Sequence, residues 1–404
     1  MPLEVKHAMK RRNVLNAIGG LAALSLTSTT RLLAAPRGSS RLLVVFLRGG
    51  YDACSLLVPI SSNFYYASRP DIAIAKPSSE LTSALPLNAD WGLHPALRDS
   101  LYPYYKNGEL AFVPFAGTHD LSRSHFETQD SIEMGQPLEG HKNYGSGFMN
   151  RLAAVLTGST PMAFTDQLPL TFQGGAKVAN TALRTLAKPS VDARQSSIIA
   201  SMYQGTSLGA KVSEGFNVRD EVMREMSAEM DAASRNAINA KGFELEARRI
   251  AKLMKDTYNL GFVDVGGWDT HVNQGAATGY LASRLDELGA GLAAYAQEMG
   301  SAWRETTVIV MSEFGRTFRQ NGNRGTDHGH GTVFWVMGGG VRGNQVVGEQ
   351  VRVEQAMLFQ NRDFPVLNEY RAVVGGLLQK QYGLSSSQLD SVFPGAKPLD
   401  LGLV

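Results

Sequence analysis

The strongest constraint on this chain is the unbroken apolar run Leu42-Leu43-Val44-Val45-Phe46-Leu47, cut off by Arg48-Gly49-Gly50. A strand with one face in water alternates apolar and polar residues. A run with no polar position has no face to give to solvent, so it reads as a strand covered on both sides and stopped by a glycine turn. Comparable runs recur at Leu110–Phe115, Gly261–Val265, Thr307–Met311 and Thr332–Met337, each stopped by Gly, Ser or Pro. Helical patterns lie between them at Pro95–Tyr105, Ser124–Met134, Gly147–Leu156, Asp220–Asp256, Ala276–Met299 and Leu367–Gln381. Strands alternating with helices predict an α/β fold, with a mostly parallel central sheet covered by helices on both faces, in one domain over residues 36–404. The stretch 161–215, rich in Ser, Thr, Gly and Pro, has no clear period and is expected to be an insertion or cap.

In such sheets the ligand crevice opens outside the carboxyl ends of the strands. Asp52 follows the first strand, Gly267-Trp268-Asp269-Thr270-His271 follows the Gly261 run, Ser312-Glu313-Phe314-Gly315-Arg316 follows the Thr307 run, and Thr326-Asp327-His328-Gly329-His330 enters the Thr332 run. Acids neutralise cationic charge and neutral imidazole binds zinc, manganese or iron. The set Asp52, Asp269, His271, Glu313, Asp327, His328 and His330 is therefore expected to hold one or two divalent cations. With Cys54 the single cysteine, neither a disulfide framework nor a thiolate zinc cluster can form within the chain. Each segment also has a plain structural reading. Asp52 and Asp269 can cap a turn or helix, Glu313 can pair with Arg316, and residues 327–330 can be a solvated turn.

A second cluster, Thr118-His119-Asp120-Leu121-Ser122-Arg123-Ser124-His125-Phe126-Glu127, opens a helix. Ser124 with Glu127 three residues on has the form of a capping box. A hydroxyl at a helix N-terminus also sits where backbone N–H groups favour an anion, with Arg123 beside it to hold phosphate or sulfate oxygens. A metal touching that hydroxyl would make it a nucleophile.

The first residues bear on the compartment. Lys10-Arg11-Arg12 stands directly before the apolar run Ala17 to Leu26, and Arg31-Leu32-Leu33-Ala34-Ala35-Pro36 offers small residues for a peptidase. This order predicts a twin-arginine export signal over residues 1–35, passage through the twin-arginine translocase, and a periplasmic or otherwise exported bacterial protein. The run is too short for a stable membrane span. Past residue 35 the acids outnumber the bases by two, which gives no electrostatic footprint for a nucleic-acid partner.

The twin-arginine leader, Leu47-Arg48-Gly49-Gly50-Tyr51-Asp52, Arg123-Ser124-His125-Phe126, Gly267-Trp268-Asp269-Thr270-His271, Ser312-Glu313-Phe314-Gly315-Arg316-Thr317 and Gly325-Thr326-Asp327-His328-Gly329 together resemble the exported bacterial domain-of-unknown-function family 1501, over nearly the whole chain. The resemblance implies an alkaline-phosphatase-like fold, from a superfamily that hydrolyses phosphate or sulfate esters with two metal ions and a Ser, Thr or formylglycine nucleophile. It implies that Asp52 ligates one metal and that Ser124, or Ser122, is the nucleophile. Asp269 and His271 would serve one metal, with Asp264 as a further candidate, and His328 or His330 would be the final histidine ligand. Glu313-Phe314 stands where the superfamily usually has Asp-His, so one site lacks a ligand unless Asp327 or a second histidine replaces it. Cys54 lacks the downstream Pro and Arg of the sulfatase maturation motif, which disfavours formylglycine.

The functional expectation is a metal-dependent hydrolase of small-molecule or polymer-linked phosphate or sulfate esters. In it Ser124 attacks, His125 lies beside it, and Arg123 or Arg316 holds the equatorial oxygens. The alternative is a binding or assembly protein on the same fold that has lost turnover. Three further patterns are set aside. Gly205-Thr206-Ser207-Leu208-Gly209 has the form of a nucleophile elbow but lacks the strand before and the helix after. Gly338, Gly340 and Gly343 precede an extended segment rather than a helix. Met223, Met226 and Met230 read as a core stripe.

Overall fold

The computed structural model describes residues 40–183, 193–217 and 242–404. The expected leader, the Met223 stripe and the first part of the expected Asp220–Asp256 helix lie outside these residues. In chain order the strands are β1 (Arg41–Leu47), β2 (Leu57–Val58), β3 (Leu85–Pro86), β4 (Gly92–Leu93), β5 (Leu110–Gly117), β6 (Pro161–Ala163), β7 (Ala179–Asn180), β8 (Leu260–Val265), β9 (Thr306–Ser312), β10 (Thr332–Met337), β11 (Gln345–Val346) and β12 (Asn368–Glu369). Nine of them form one sheet in the order β11-β5-β10-β9-β1-β8-β6-β7, with β12 also on β5; β2, β4 and β3 make a small second sheet.

The five apolar runs are the five long strands of the main sheet. β1 lies at its centre, parallel to β8 on one side and to β9 on the other. All six residues from Leu42 to Leu47 are at most 1% exposed, and they divide by parity. Leu43, Val45 and Leu47 enter one core, shared with helices Phe243–Asp256 and Tyr280–Met299; Leu42, Val44 and Phe46 enter the other, shared with helices Phe148–Val155 and Tyr370–Tyr382. Successive side chains of a strand point to opposite faces, so a strand between two helical layers needs apolar residues at every position. Each such burial stabilises by about 1.5–3 kcal/mol.

One strand runs against the rest. β10 pairs antiparallel with both β5 and β9. Its entry, Thr332, therefore lies at the same edge as the exits of β1, β5, β8 and β9.

Within the stretch 161–215, β6 pairs in parallel with β8, and β7 with β6, so residues 161–163 and 179–180 extend the main sheet. One expectation is corrected. Pro95–Tyr105 is not one helix but a 3₁₀ turn, Pro95–Leu97, and a short helix, Tyr102–Lys106. Pro103 lacks the N–H an ongoing helix needs, and is tolerated in the first turn of a new one. No helix among the described residues is long and apolar enough to cross a membrane.

Candidate metal centre

The loops after β1, β5, β8 and β9 and the loop before β10 meet at that edge. Residues 315–317 and 327–330 run side by side, with Gly315 N donating to His330 O, Gly329 N to Gly315 O and Thr317 N to Asp327 O, each at 2.9 Å. The approach is close enough that a Cβ on Gly329 would stand 2.4 Å from the Arg316 carbonyl carbon, so only glycine fits.

Three imidazoles gather around Asp269. His271 Nε2 lies 2.9 Å and His328 Nε2 3.3 Å from Asp269 Oδ1, and His125 Nε2 lies 3.5 Å from Oδ2. His125, Asp269 and His328 each present a ligand atom within 4.8 Å of the others. On its far side each ring is held by an oxygen. His125 Nδ1 donates to Glu313 Oε1 at 2.9 Å, His271 Nδ1 to Asp327 Oδ1 at 3.1 Å, and His328 Nδ1 to the Arg123 carbonyl at 2.9 Å. An oxygen acceptor at Nδ1 puts the proton there and leaves the Nε2 lone pair facing inward. His125 Nε2 is buried without a hydrogen-bond partner, a cost a structure carries where a group awaits a ligand. The Arg123 carbonyl reaches His328 because Arg123 sits at φ +52°, a left-handed conformation uncommon for a residue with a side chain.

The electrostatics suit a cation. Burial alone would raise the Asp269 carboxyl; the charge and hydrogen bond of Arg316, with Nη1 2.5 Å from Oδ1, more than reverse this and hold it below the usual carboxylate range. Burial would likewise raise Glu313, but hydrogen bonds from His125, Gln129 and Gly49 keep it low. The hydrogen bond to Glu313 raises His125, and burial lowers His328. Phe314 forms a wall, its ring centroid 5.0 Å from that of His125 and 5.2 Å from that of His328. A cleft beside Asp269 and His271 is lined also by Arg48, Trp268, Val272 and Tyr280.

The structure therefore brings together Asp269, His271, His328 and His125, the last expected beside the nucleophile and found instead among the imidazoles. Glu313 and Asp327 stand behind the rings rather than in the cluster. Other expectations are corrected. Asp52 is fully buried and gripped by Arg69, with Gln274 and Ser55 also donating to it at 2.7 and 2.8 Å, so it has no free oxygen for a cation. Asp264 is paired with Arg48 at 2.6 Å. His330 is buried against Phe359, with its pKa lowered to about 4 by that burial.

The arginines also differ from expectation, while Ser124 takes the capping position its spacing to Glu127 predicts. Arg123 is held by Asp363 and Gln360, and Arg316 by Asp269 and Thr326, so neither guanidinium is free to hold ester oxygens. Ser124 caps helix His125–Met134, accepting from Glu127 N at 3.5 Å. Nothing in the sequence pattern marks Arg69, Gln274 or Gln129. They are single polar residues outside any motif, and only their partners reveal them.

Among the solved structures that match are two at 8% identity and a TM-score of 0.37. One is Ps i-CgsB in complex with k-i-k-neocarrahexaose, covering 86% of this chain and 73% of that one; the other is Ps i-CgsB, covering 88% and 74%. No curated protein matches. Every loop of the cluster lies within residues 39–393, the span matched by the model of the Protein of unknown function (DUF1501) family, and the chain belongs to that family.

Proposed function

We propose that this protein is an exported, metal-dependent hydrolase of phosphate or sulfate esters, on an alkaline-phosphatase-like sheet. The observation that carries this reading is the inward convergence of three imidazole Nε2 atoms on Asp269, each ring steadied from behind by an oxygen. His125, Asp269, His271 and His328 hold a divalent cation, and Arg316 keeps Asp269 ionised. A cation held there supplies positive charge to the oxygens of an ester in the adjoining cleft. Arg48, on the cleft wall, is itself paired with Asp264 and Glu133, so the cation is the positive charge offered to the ester. Ser124 is the nucleophile; its long cap contact to Glu127 N is weak enough to be given up. Export rests on the Lys10-Arg11-Arg12 pair, the apolar run behind it and the alanines that follow.

A second reading, a cation-holding binding or assembly protein without turnover, is favoured by one observation: the arginines expected to grip the ester are consumed by Asp269 and Asp363. The deciding experiment assays the mature protein on aryl phosphate, phosphodiester and aryl sulfate, with and without chelator. Turnover abolished by chelator and by His271→Ala supports the hydrolase. Absence of turnover from metal-loaded protein on all three substrates leaves the binding protein.

A further inference from the structure

The distances within the cluster say more than that a cation fits. Nitrogen and oxygen ligands about 2.0–2.1 Å from a tetrahedral ion stand roughly 3.3 Å from one another. Four pairs among the inward atoms, counting both oxygens of Asp269, are near this spacing: His271 Nε2 to His328 Nε2 is 3.2 Å, His328 Nε2 to Asp269 Oδ1 is 3.3 Å, His125 Nε2 to Asp269 Oδ2 is 3.5 Å, and His271 Nε2 to Asp269 Oδ1 is 2.9 Å, while His125, Asp269 and His328 have their ligand atoms within 4.8 Å of one another. The contact between His271 and His328 is telling. Both rings face an oxygen at Nδ1, so the 3.2 Å contact between the two Nε2 atoms needs a shared proton or a cation between them.

No second set of ligands is assembled for another ion. Both oxygens of Asp52 are taken by Arg69, Gln274 and Ser55, while Asp264 and Asp363 each give Oδ2 to an arginine and stand outside the cluster of ligand atoms. Glu313 Oε1 accepts from His125, Gln129 and Gly49, and its Oε2 from Ser312. Phe314 fills the side where a further ligand would stand. Among the described residues no other cluster of three ligating side chains exists. The charges also close for a single ion, since a divalent cation and Arg316 are matched by Asp269, Glu313 and Asp327.

We infer that the site holds one ion of the imidazole-preferring class, zinc or a close analogue, in a three-nitrogen, one-carboxylate shell of His125, His271, His328 and Asp269, and not the ion pair of a two-metal hydrolase. Magnesium and calcium prefer all-oxygen shells of six or more ligands and do not suit it. This rests on the cation site proposed above but not on turnover.

The test is calorimetric titration of the chelator-stripped full chain with zinc, competition by magnesium and calcium, and the visible spectrum of the cobalt-loaded protein. The expected result is one equivalent of zinc per chain, undisturbed by excess magnesium or calcium. The cobalt spectrum should show the intense bands of four-coordination, lost in His271→Ala. That ring is well exposed, so the variant keeps its fold; His328→Gln serves as the second variant. Two equivalents, displacement by magnesium or calcium, a six-coordinate cobalt spectrum or no binding overturns the inference. One zinc with no ester turnover keeps it and removes the hydrolase; two ions with turnover does the reverse.

Discussion

Arg69 grips Asp52 with both terminal nitrogens, Nη1 2.5 Å from Oδ2 and Nη2 3.0 Å from Oδ1, where neither residue is exposed. Asp52 is the acid that its place after the first strand nominates as a ligand, and this pair takes it out of the site. It becomes part of the floor: Gln274 donates to Asp52 and accepts from Thr270 and Thr326, which sit under the cluster.

Breaking the pair should destabilise the fold and leave the cation site present. Arg69→Met strands a buried carboxylate and is expected to cost about 3–5 kcal/mol at neutral pH by denaturant unfolding. Burial alone would raise the Asp52 carboxyl; the charge and hydrogen bonds of Arg69, with Gln274 and Ser55, more than reverse this and leave it below its ordinary value. A carboxyl lowered on folding stabilises above its unfolded pKa, about 3.9, and that contribution fades as pH falls through the lower folded value. In Arg69→Met the carboxyl is raised instead, and its cost is relieved by acid. The stability gap between the two proteins should therefore narrow from pH 7 toward pH 4; a gap that widens contradicts the pairing.

Glu313→Gln should weaken zinc binding by roughly 10–100-fold while the melting temperature hardly moves, because the amide keeps the shape and loses the charge that orients His125. Titration calorimetry checks this. Unchanged affinity would mean that Glu313 does not support the ring.

Ser124→Ala separates cap from nucleophile. The cap is a single long bond, so the loss of stability should be at the low end for such sites, about 0.5–1 kcal/mol, with zinc affinity unchanged. Ester turnover should vanish; a variant that still turns over at the parent rate acquits Ser124.

Gly50→Ala probes the wall. Gly50 lies at φ +62°, and a Cβ there would stand 2.5 Å from Cδ2 and Cε2 of Phe314. Left-handed strain alone costs about 1–3 kcal/mol, and the collision pushes Phe314 toward His125 and His328. Thermal unfolding and zinc titration should both weaken; a loss of stability with intact zinc affinity would detach Phe314 from the site.

Much of the framework is legible in the chain. The long strands fall within two residues of the apolar runs, because a doubly covered strand must be apolar throughout. Helix His125–Met134 begins where Ser124 and Glu127 place its start, a local pattern of four residues. The pool of ligands was visible as well, since carboxylates and imidazoles cluster in the turns.

The assignment within that pool was not. An apolar run looks the same whichever way the strand points. That the loop before β10 shares an edge with the loops after its neighbours follows only from β10 running antiparallel between β5 and β9. Likewise Asp52 and Asp269 each follow a buried strand, and what separates them is Arg69, which occupies one while the other keeps company with three imidazoles. The sequence alone determined the layers, the strands and the chemical inventory at the turns, because burial and capping are written in neighbouring residues. Tertiary structure decided which groups face one another, because strand direction and long-range ion pairs depend on residues far apart in the chain.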